Sequence, residues 1–335
     1  MAKKRLGESL HKAKKAKNDE FYTQRTDIDK ELQYYEHHFE GKTVICNCDD
    51  PRISEFVRYF VLKFHTLKLK KLIAVCYKNQ NPDMFSQGTS EKAVYIEYSG
   101  EPVCRTEQDF DKIPTQELAG DGDFRKKESI ELLKQADIVC TNPPFSLFRE
   151  YVKQLMKYEK KFLIIGNLNA ITYKEIFPLI RDNKMWLGGT PSFSAFKVPK
   201  YYEEKSNRFW IDESGQKWRS LGNICWFTNL DNPKRNQEII LCEVYSPEKF
   251  PKYDNYDAIE VDRVDNIPMD YDGVMGVPVT FLNKYNPEQF EIIGITEANG
   301  KGMSGAANWN GINPKAYYKD KEYYARIFIR KNRLL

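Results

Sequence analysis

The sequence predicts an α/β protein with a mostly parallel sheet covered by helices on both faces, plus a mixed C-terminal module. Three observations carry that expectation. Short unbroken apolar runs, "KTVICNC" at 42–48, "KKLIAVCY" at 70–77 and "KKFLIIGNLN" at 160–169, alternate with stretches of helical rhythm. Strands buried on both faces read as such solid runs rather than as alternations. A further run, "ADIVCT", stops on "NPPF" and restarts as an amphipathic helix, and from about residue 231 the rhythm gives way to Tyr, Asp, Pro and Gly.

The elements follow in order. After residue 18 an extended segment becomes a helix, with Ile28, Leu32 and Tyr35 on one face. The strand at 42–48 passes through "DDP" into a helix with Ile53, Phe56, Val57, Phe60, Val61 and Phe64 at helical spacing. Residues 78–120 are polar and turn-rich, with a hairpin expected around "VYIEYSGEPVC". "GDGDF" precedes a short helix over Ser129 to Lys134. Ile138 and Val139 read as buried strand. Leu147, Phe148, Tyr151, Val152, Leu155 and Met156 then share one helical face, with Arg149, Glu150 and Lys153 opposite. A helix is expected over 173–182, followed by "MWLG" and "NICWFTNL". Residues 297–314 form a Gly/Asn-rich loop, and "YYARIFIRKN" alternates as a strand. The expected domains are a basic arm at 1–17, a main domain at 18–230 with an insert at about 188–220, and a separate module at 231–335.

Composition narrows the class. Charged residues make up 30 % of the 335, and no apolar run approaches the roughly 18 residues that span a bilayer. The basic N-terminus lacks the apolar segment of a cleavable signal. A soluble, cytoplasmic monomer with no membrane partner is expected. Seven cysteines show no Cys-x-x-Cys spacing, so they read as reduced thiols, and no metal site is expected. Net charge is +4, yet residues 1–17 hold seven Lys/Arg against one Glu, so +6, which leaves −2 for the remainder. That arm is either a solvated terminus or a contact for nucleic-acid phosphates.

The corner Asn142-Pro143-Pro144-Phe145 sits where open α/β sheets bind ligands, at the carboxyl end of a strand. An exocyclic amine on a nucleobase is a poor nucleophile because its lone pair is delocalised into the ring. Two acceptors for its N–H bonds would favour the pyramidal geometry of the transition state. The Asn142 oxygen and the Pro143 carbonyl can serve, held by proline's fixed φ. Phe145 can stack on the base, which must first leave the duplex. The plainer alternative is a rigid loop with a helix N-cap.

The quoted corner, with "HKAKKAKNDEFYTQ", "ELQYYEHHF", "CNCDDPRIS", "GDGDFR", "KKFLII", "ITYKE", "FPKYDNYDAI" and "DYDGVMGVPVTFLNKYNPEQFE", resembles the EcoRI-type adenine-specific DNA methyltransferase family in order from about residue 10 to 293. The resemblance implies a class I methyltransferase (Rossmann-like) fold. It implies transfer of a methyl group from S-adenosyl-L-methionine to N6 of adenine in a specific double-stranded DNA sequence, by base flipping. A restriction-modification or orphan enzyme follows, with a possible cognate restriction endonuclease acting on the same site. Asn142, Pro143, Pro144 and Phe145 would form the catalytic site. Phe21, Tyr22 and Thr23 would hold the methionine end of the cofactor, Asn47, Asp49 and Asp50 would follow the first strand, and Asp123 and Phe124 would meet the cofactor's adenine. The glycine-rich loop common after strand one is missing from "CDDPRIS". For Asp49 and Asp50 the alternative is helix capping before Pro51, for Asp121 and Asp123 an Asp-Gly turn, and for Tyr22 plain core. The insert, the Gly/Asn-rich loop and the basic chain ends are candidate DNA contacts. Methylation of RNA adenine or protein glutamine, or a catalytically idle DNA-binding relative, are the other functions this pattern allows.

Overall fold

The computed structural model describes residues 21–76, 93–200, 202–204, 207–296, 302–303 and 315–332. The basic arm and most of the 297–314 loop lie outside the described residues. The chain divides into two compact units, Met1–Leu168 with Thr190–Leu230, and Asn169–Gly189 with Asp231–Leu335.

In the first unit the strands are β1 (Thr43–Cys46), β2 (Lys71–Val75), β3 (Val94–Tyr98), β4 (Gln116–Glu117), β5 (Ile138–Thr141), β6 (Lys161–Asn167), β7 (Phe196–Lys197), β8 (Phe209–Ile211), β9 (Lys217–Arg219) and β10 (Ile224–Thr228). Seven of them lie in the order β4-β3-β2-β1-β5-β6-β10. The central four, β2, β1, β5 and β6, run parallel, and β10 is antiparallel to β6. This large, mostly parallel sheet is consistent with the class I methyltransferase fold that the sequence resemblance implies. β1 and β5 are buried along their whole length, which is why they read as unbroken apolar runs. β2 flanks β1 on one side and β5 on the other, so the chain changes direction there. The carboxyl ends of β1 and β5 therefore form a topological switch point, the place where such sheets bind ligands.

Four helices surround these strands in sequence: α1 (Arg25–Leu32), α2 (Glu55–Leu62), α3 (Lys127–Gln135) and α4 (Phe148–Lys157). α2 buries Phe56, Val57, Phe60 and Val61, the face its spacing predicts, and Ser54 caps it by accepting from the Phe56 N–H. Asp49 and Asp50 are thus not the cap. α4 buries Phe148, Tyr151, Val152 and Leu155. Gly166 on β6 lets its first residue seat: a Cβ there would lie 2.5 Å from the Phe148 ring and 2.9 Å from Phe227. Trp226 on β10 is fully buried beside Phe56 and Phe193.

Two expectations change. The hairpin around 94–104 is a single strand, β3, which pairs antiparallel with β2 and β4. Gly100 at φ +98° turns the chain out, and Pro102 has no N–H for a return strand. The helix at 173–182 shrinks to α5 (Phe177–Arg181), because Pro178 suits only a first turn. All seven cysteines are free thiols, and burial pushes Cys46 and Cys140 well above their ordinary pKa.

The second unit has a five-stranded sheet of β11 (Ile259–Glu260), β12 (Met275–Pro278), β13 (Phe290–Ile295), β14 (Gly302–Met303) and β15 (Arg326–Lys331), in the order β11-β12-β15-β13-β14. The expected C-terminal strand is its centre, with Ile327, Phe328 and Ile329 all buried. Beneath it Arg326 grips the buried Glu260 at 2.7 and 3.0 Å, and the Tyr253 hydroxyl donates to the same carboxylate. Among the described residues no helix is long and apolar enough to cross a membrane.

Candidate active site

The corner after β5 is held from three directions. The Asn142 amide nitrogen donates to the Phe21 carbonyl at 2.6 Å and to the Thr23 hydroxyl at 3.3 Å. Its oxygen is thereby left as the group that can accept from a ligand. Asn142 caps no helix: α4 and the short 3-10 turn before it, Phe145–Leu147, have no side-chain cap. The ring of Phe145 stacks on Phe21, centroids 5.6 Å apart and planes 18° from parallel. Pro143 is buried, while Asn142, Pro144 and Phe145 are half-buried.

The end of β1 meets the end of β5 through Thr141. Its hydroxyl accepts from the Cys48 N–H at 3.2 Å and donates to Asp49. The other Asp49 oxygen accepts from the Ser54 hydroxyl at 2.7 Å. The backbone N–H of Asn142 faces this carboxylate and helps to lower its pKa. Burial pushes the Asp49 carboxyl up to about 6, against these hydrogen bonds, which pull it down. Asp50 points elsewhere, into an ion pair with Arg52 at 2.8 Å. Asn47 is buried; its oxygen accepts from the Tyr151 hydroxyl, and its amide nitrogen has no protein partner among the described residues. A buried donor left unpaired is costly, and at a switch point it suits an acceptor on a bound ligand.

The N-terminal segment lies along this corner. Tyr22 forms an antiparallel bridge with Lys197 on β7, and Thr23 is buried. Tyr22 is half-buried, so it is not simple core. The loop 120–125 also reaches the site. Phe124 is buried and packs edge-on against Tyr151 at 5.0 Å, which links it to Asn47. Asp121 accepts from the Asp123 N–H at 3.1 Å, the turn that the Asp-Gly sequence favours. The Asp123 carboxylate is paired with Arg125 at 2.6 Å. Burial opposes its charge, but the Arg125 side chain and N–H hold the carboxyl below its ordinary value. The structure therefore gathers Phe21, Thr23, Asn47, Asp49, Asn142 and Phe145 around one switch point, with Phe124 and Asp123 joined through Tyr151. Asp50 is turned toward Arg52.

Sequence reading missed five contributors. Thr141, Ser54 and Tyr151 carry hydroxyls beside flagged residues, but only the first two had a local signal: adjacency to the corner, and a cap before an apolar helix. Two buried acids on α1 complete the five. Asp27 accepts from the Ser194 N–H and hydroxyl, and Glu31 from the Thr190 N–H at 2.6 Å and the Tyr35 hydroxyl at 2.8 Å. They tie α1 to the segment entering β7. That segment leads into a sheet of order β7-β9-β8, in which Trp210 stacks on Trp218 and Lys197 lies over Trp218.

Comparison with known proteins settles the family. The model of the adenine-specific methyltransferase EcoRI family matches residues 9–332. The chain belongs to that family. It is 52 % identical over 297 residues to the Type II methyltransferase M.EcoRI of Escherichia coli, covering 88 % of this chain and 90 % of that one. It is 42 % identical over 293 residues to the Type II methyltransferase M.MpnI of Mycoplasma pneumoniae, covering 85 % and 84 %. It is 41 % identical over 291 residues to the Type II methyltransferase M.MgeORF184P of Mycoplasma genitalium, covering 85 % of each. No solved structure matches the chain. The protein is thus an adenine-specific methyltransferase, and the family implies a methyl donor.

Proposed function

We propose that the protein methylates N6 of an adenine within a specific sequence of double-stranded DNA, with S-adenosyl-L-methionine as donor, and that the target base is flipped into the corner after β5. The observation that carries this reading is the pinned amide of Asn142. With its nitrogen spent on Phe21 and Thr23, its oxygen accepts from the substrate amine. The Pro143 carbonyl takes the second N–H, and together they turn the lone pair out of the ring plane. Phe145, oriented by Phe21, stacks on the extruded base. The bound donor supplies a methyl sulfonium as electrophile. The Asn142 oxygen and the Pro143 carbonyl would hold N6 facing that methyl group, and the proton displaced from N6 would pass to water. Orientation does most of the work, since the positive charge of the donor is lost on transfer.

For the cofactor we assign Phe21, Tyr22 and Thr23 to the methionine end and Asn47, just after β1, to the flank, whereas Asp49 is engaged with Thr141 and Ser54 and Asp50 with Arg52. Asp123 and Phe124 go to the adenine ring. The unpaired Asn47 nitrogen supports this assignment. We assign DNA reading to the module 231–335, the basic arm 1–17 and the insert 188–220, where Trp210 is 44 % exposed beside Trp218 and Lys197. An aromatic surface rimmed with cations suits nucleic acid. The enzyme acts as a cytoplasmic monomer, in a restriction-modification pair or alone.

The test is direct. Purified protein is incubated with S-adenosyl-L-methionine and unmethylated genomic DNA, and modified adenines are mapped at base resolution. The reading expects N6-methyladenine at one recurring sequence. Label entering RNA or protein in preference to duplex DNA would overturn it.

A further inference from the structure

The Asp49 carboxylate makes more contacts inside the protein than any ligand role requires. A carboxylate offers about four lone-pair sites, and two donors already converge on this one, the hydroxyls of Thr141 and Ser54, with the backbone N–H of Asn142 facing it. Thr141 in turn accepts from the Cys48 N–H at 3.2 Å, so the ends of β1 and β5 are stapled twice. Ser54 adds the start of α2 to the same knot, since its oxygen also caps that helix. Asn142 directly follows Thr141, so its peptide N–H faces this knot while its side chain is gripped by Phe21 and Thr23. Asp50, one residue on, instead pairs with Arg52.

We propose that Asp49 is a positioning residue that fixes the Asn-Pro-Pro-Phe corner to the end of β1, so that the Asn142 oxygen is held where the reacting amine needs it. This rests on the reading of that corner as the adenine site. The ionised carboxylate accepts from both hydroxyls and attracts the facing Asn142 N–H. A protonated carboxyl must turn one oxygen into a donor, and the knot loosens. Burial places that change at about pH 6. The groups facing Asp49 do not titrate in its place. The Cys46 and Cys48 thiols on and after β1, the Cys140 thiol on β5 and the Tyr151 phenol on α4 are all pushed upward by burial and by the Asp49 charge. Asp50 adds repulsion to Asp49 while bound to Arg52. Turnover is therefore full above the Asp49 pKa and falls as pH drops through about 6.

The experiment compares wild type, Asp49→Asn, Thr141→Val and Thr141→Ser. Wild type must first methylate duplex DNA; if it does not, the adenine-site reading fails before this inference is tested. Given that activity, Asp49→Asn is expected to lower kcat by about 10- to 100-fold, the scale of a slightly misplaced reacting group. KM for S-adenosyl-L-methionine should stay within about threefold, and the acid limb near pH 6 should vanish. Thr141→Val is expected to follow it, while Thr141→Ser, which keeps the hydroxyl, restores most of the rate. Hydrogen exchange gives a readout without cofactor: the Asn142 amide, well isolated because Pro143 and Pro144 have no N–H, should lose protection in Asp49→Asn. If Asp49→Asn does not fold, the two Thr141 variants and the wild-type pH profile decide the matter. Unchanged kcat with a large rise in cofactor KM would make Asp49 a ligand contact and overturn the proposal. Unaltered exchange at Asn142 would overturn it as well.

Discussion

The corner after β5 and the loop at 120–125 both carry expected site residues, yet they are held in opposite ways. Asn142 is fixed before any ligand arrives: its amide nitrogen and the neighbouring Phe145 ring are both engaged with protein. Asp123 is instead paired with an Arg125 whose side chain is 49 % exposed and which has Glu150 as a second partner at 3.2 Å. The first arrangement is preorganised, so its cost is met in folding and none remains for the reaction. The second is a half-open ion pair, which solvent keeps weak and which a ligand can displace. The acceptor proposed to shape the transition state is rigid, whereas the acceptor proposed for the cofactor's adenine is exchangeable.

Substitutions on each side sharpen the contrast. The largest effect belongs to the corner. Asn142→Ala should lower kcat by about a thousandfold, the loss typical of a preorganised polar group, while S-adenosyl-L-methionine and DNA bind with near wild-type Kd. Steady-state kinetics with binding titrations check this, and an unchanged kcat would break the account. Thr23→Val removes one of two holds on the Asn142 nitrogen, and an intermediate fall of roughly tenfold in kcat is expected. Gly166→Ala probes the floor under α4. Its added carbon meets Phe148 and Phe227, so stability should fall by about 1–3 kcal/mol, visible as a lower Tm. The smallest effect belongs to the loop. Arg125→Ala frees Asp123 from its competitor and should tighten cofactor Kd by only about two- to fivefold. Tm should barely move, because exposed pairs contribute roughly 0–1 kcal/mol. A collapse of kcat in Arg125→Ala would mean that the loop is as rigid as the corner.

The parts legible in the sequence share one property: each is encoded within a short window. β1, β2, β5 and β6 announce themselves as apolar runs, and the buried face of α4 follows from its spacing. The corner itself is four consecutive residues. What stayed hidden is assembled across the chain. Thr141 and Asp49 are 92 residues apart and meet only because β1 and β5 are neighbours. Asp27 and Glu31 sit on a helix whose polar residues read as solvent-facing. Both are buried because they take backbone N–H groups 167 and 159 residues away, an arrangement that no local pattern reports. β3 misled for a related reason: its residues alternate as a hairpin arm would, but the partner is the open edge of β2. The role proposed for Asp49 emerges only when Thr141 and Ser54 are in place around it, since the sequence offers two adjacent aspartates with nothing to separate them.

The most direct measurement is of the base itself. Once a modified site has been mapped, 2-aminopurine is placed at the target position of a short duplex, where stacking keeps its fluorescence low. Adding the protein with a cofactor analogue should raise the emission strongly as the base leaves the stack, and Phe145→Ala should lower that rise. Emission that stays at the free-duplex level, on a sequence whose adenine counterpart is bound and methylated, would contradict an adenine gripped at the Asn142 corner.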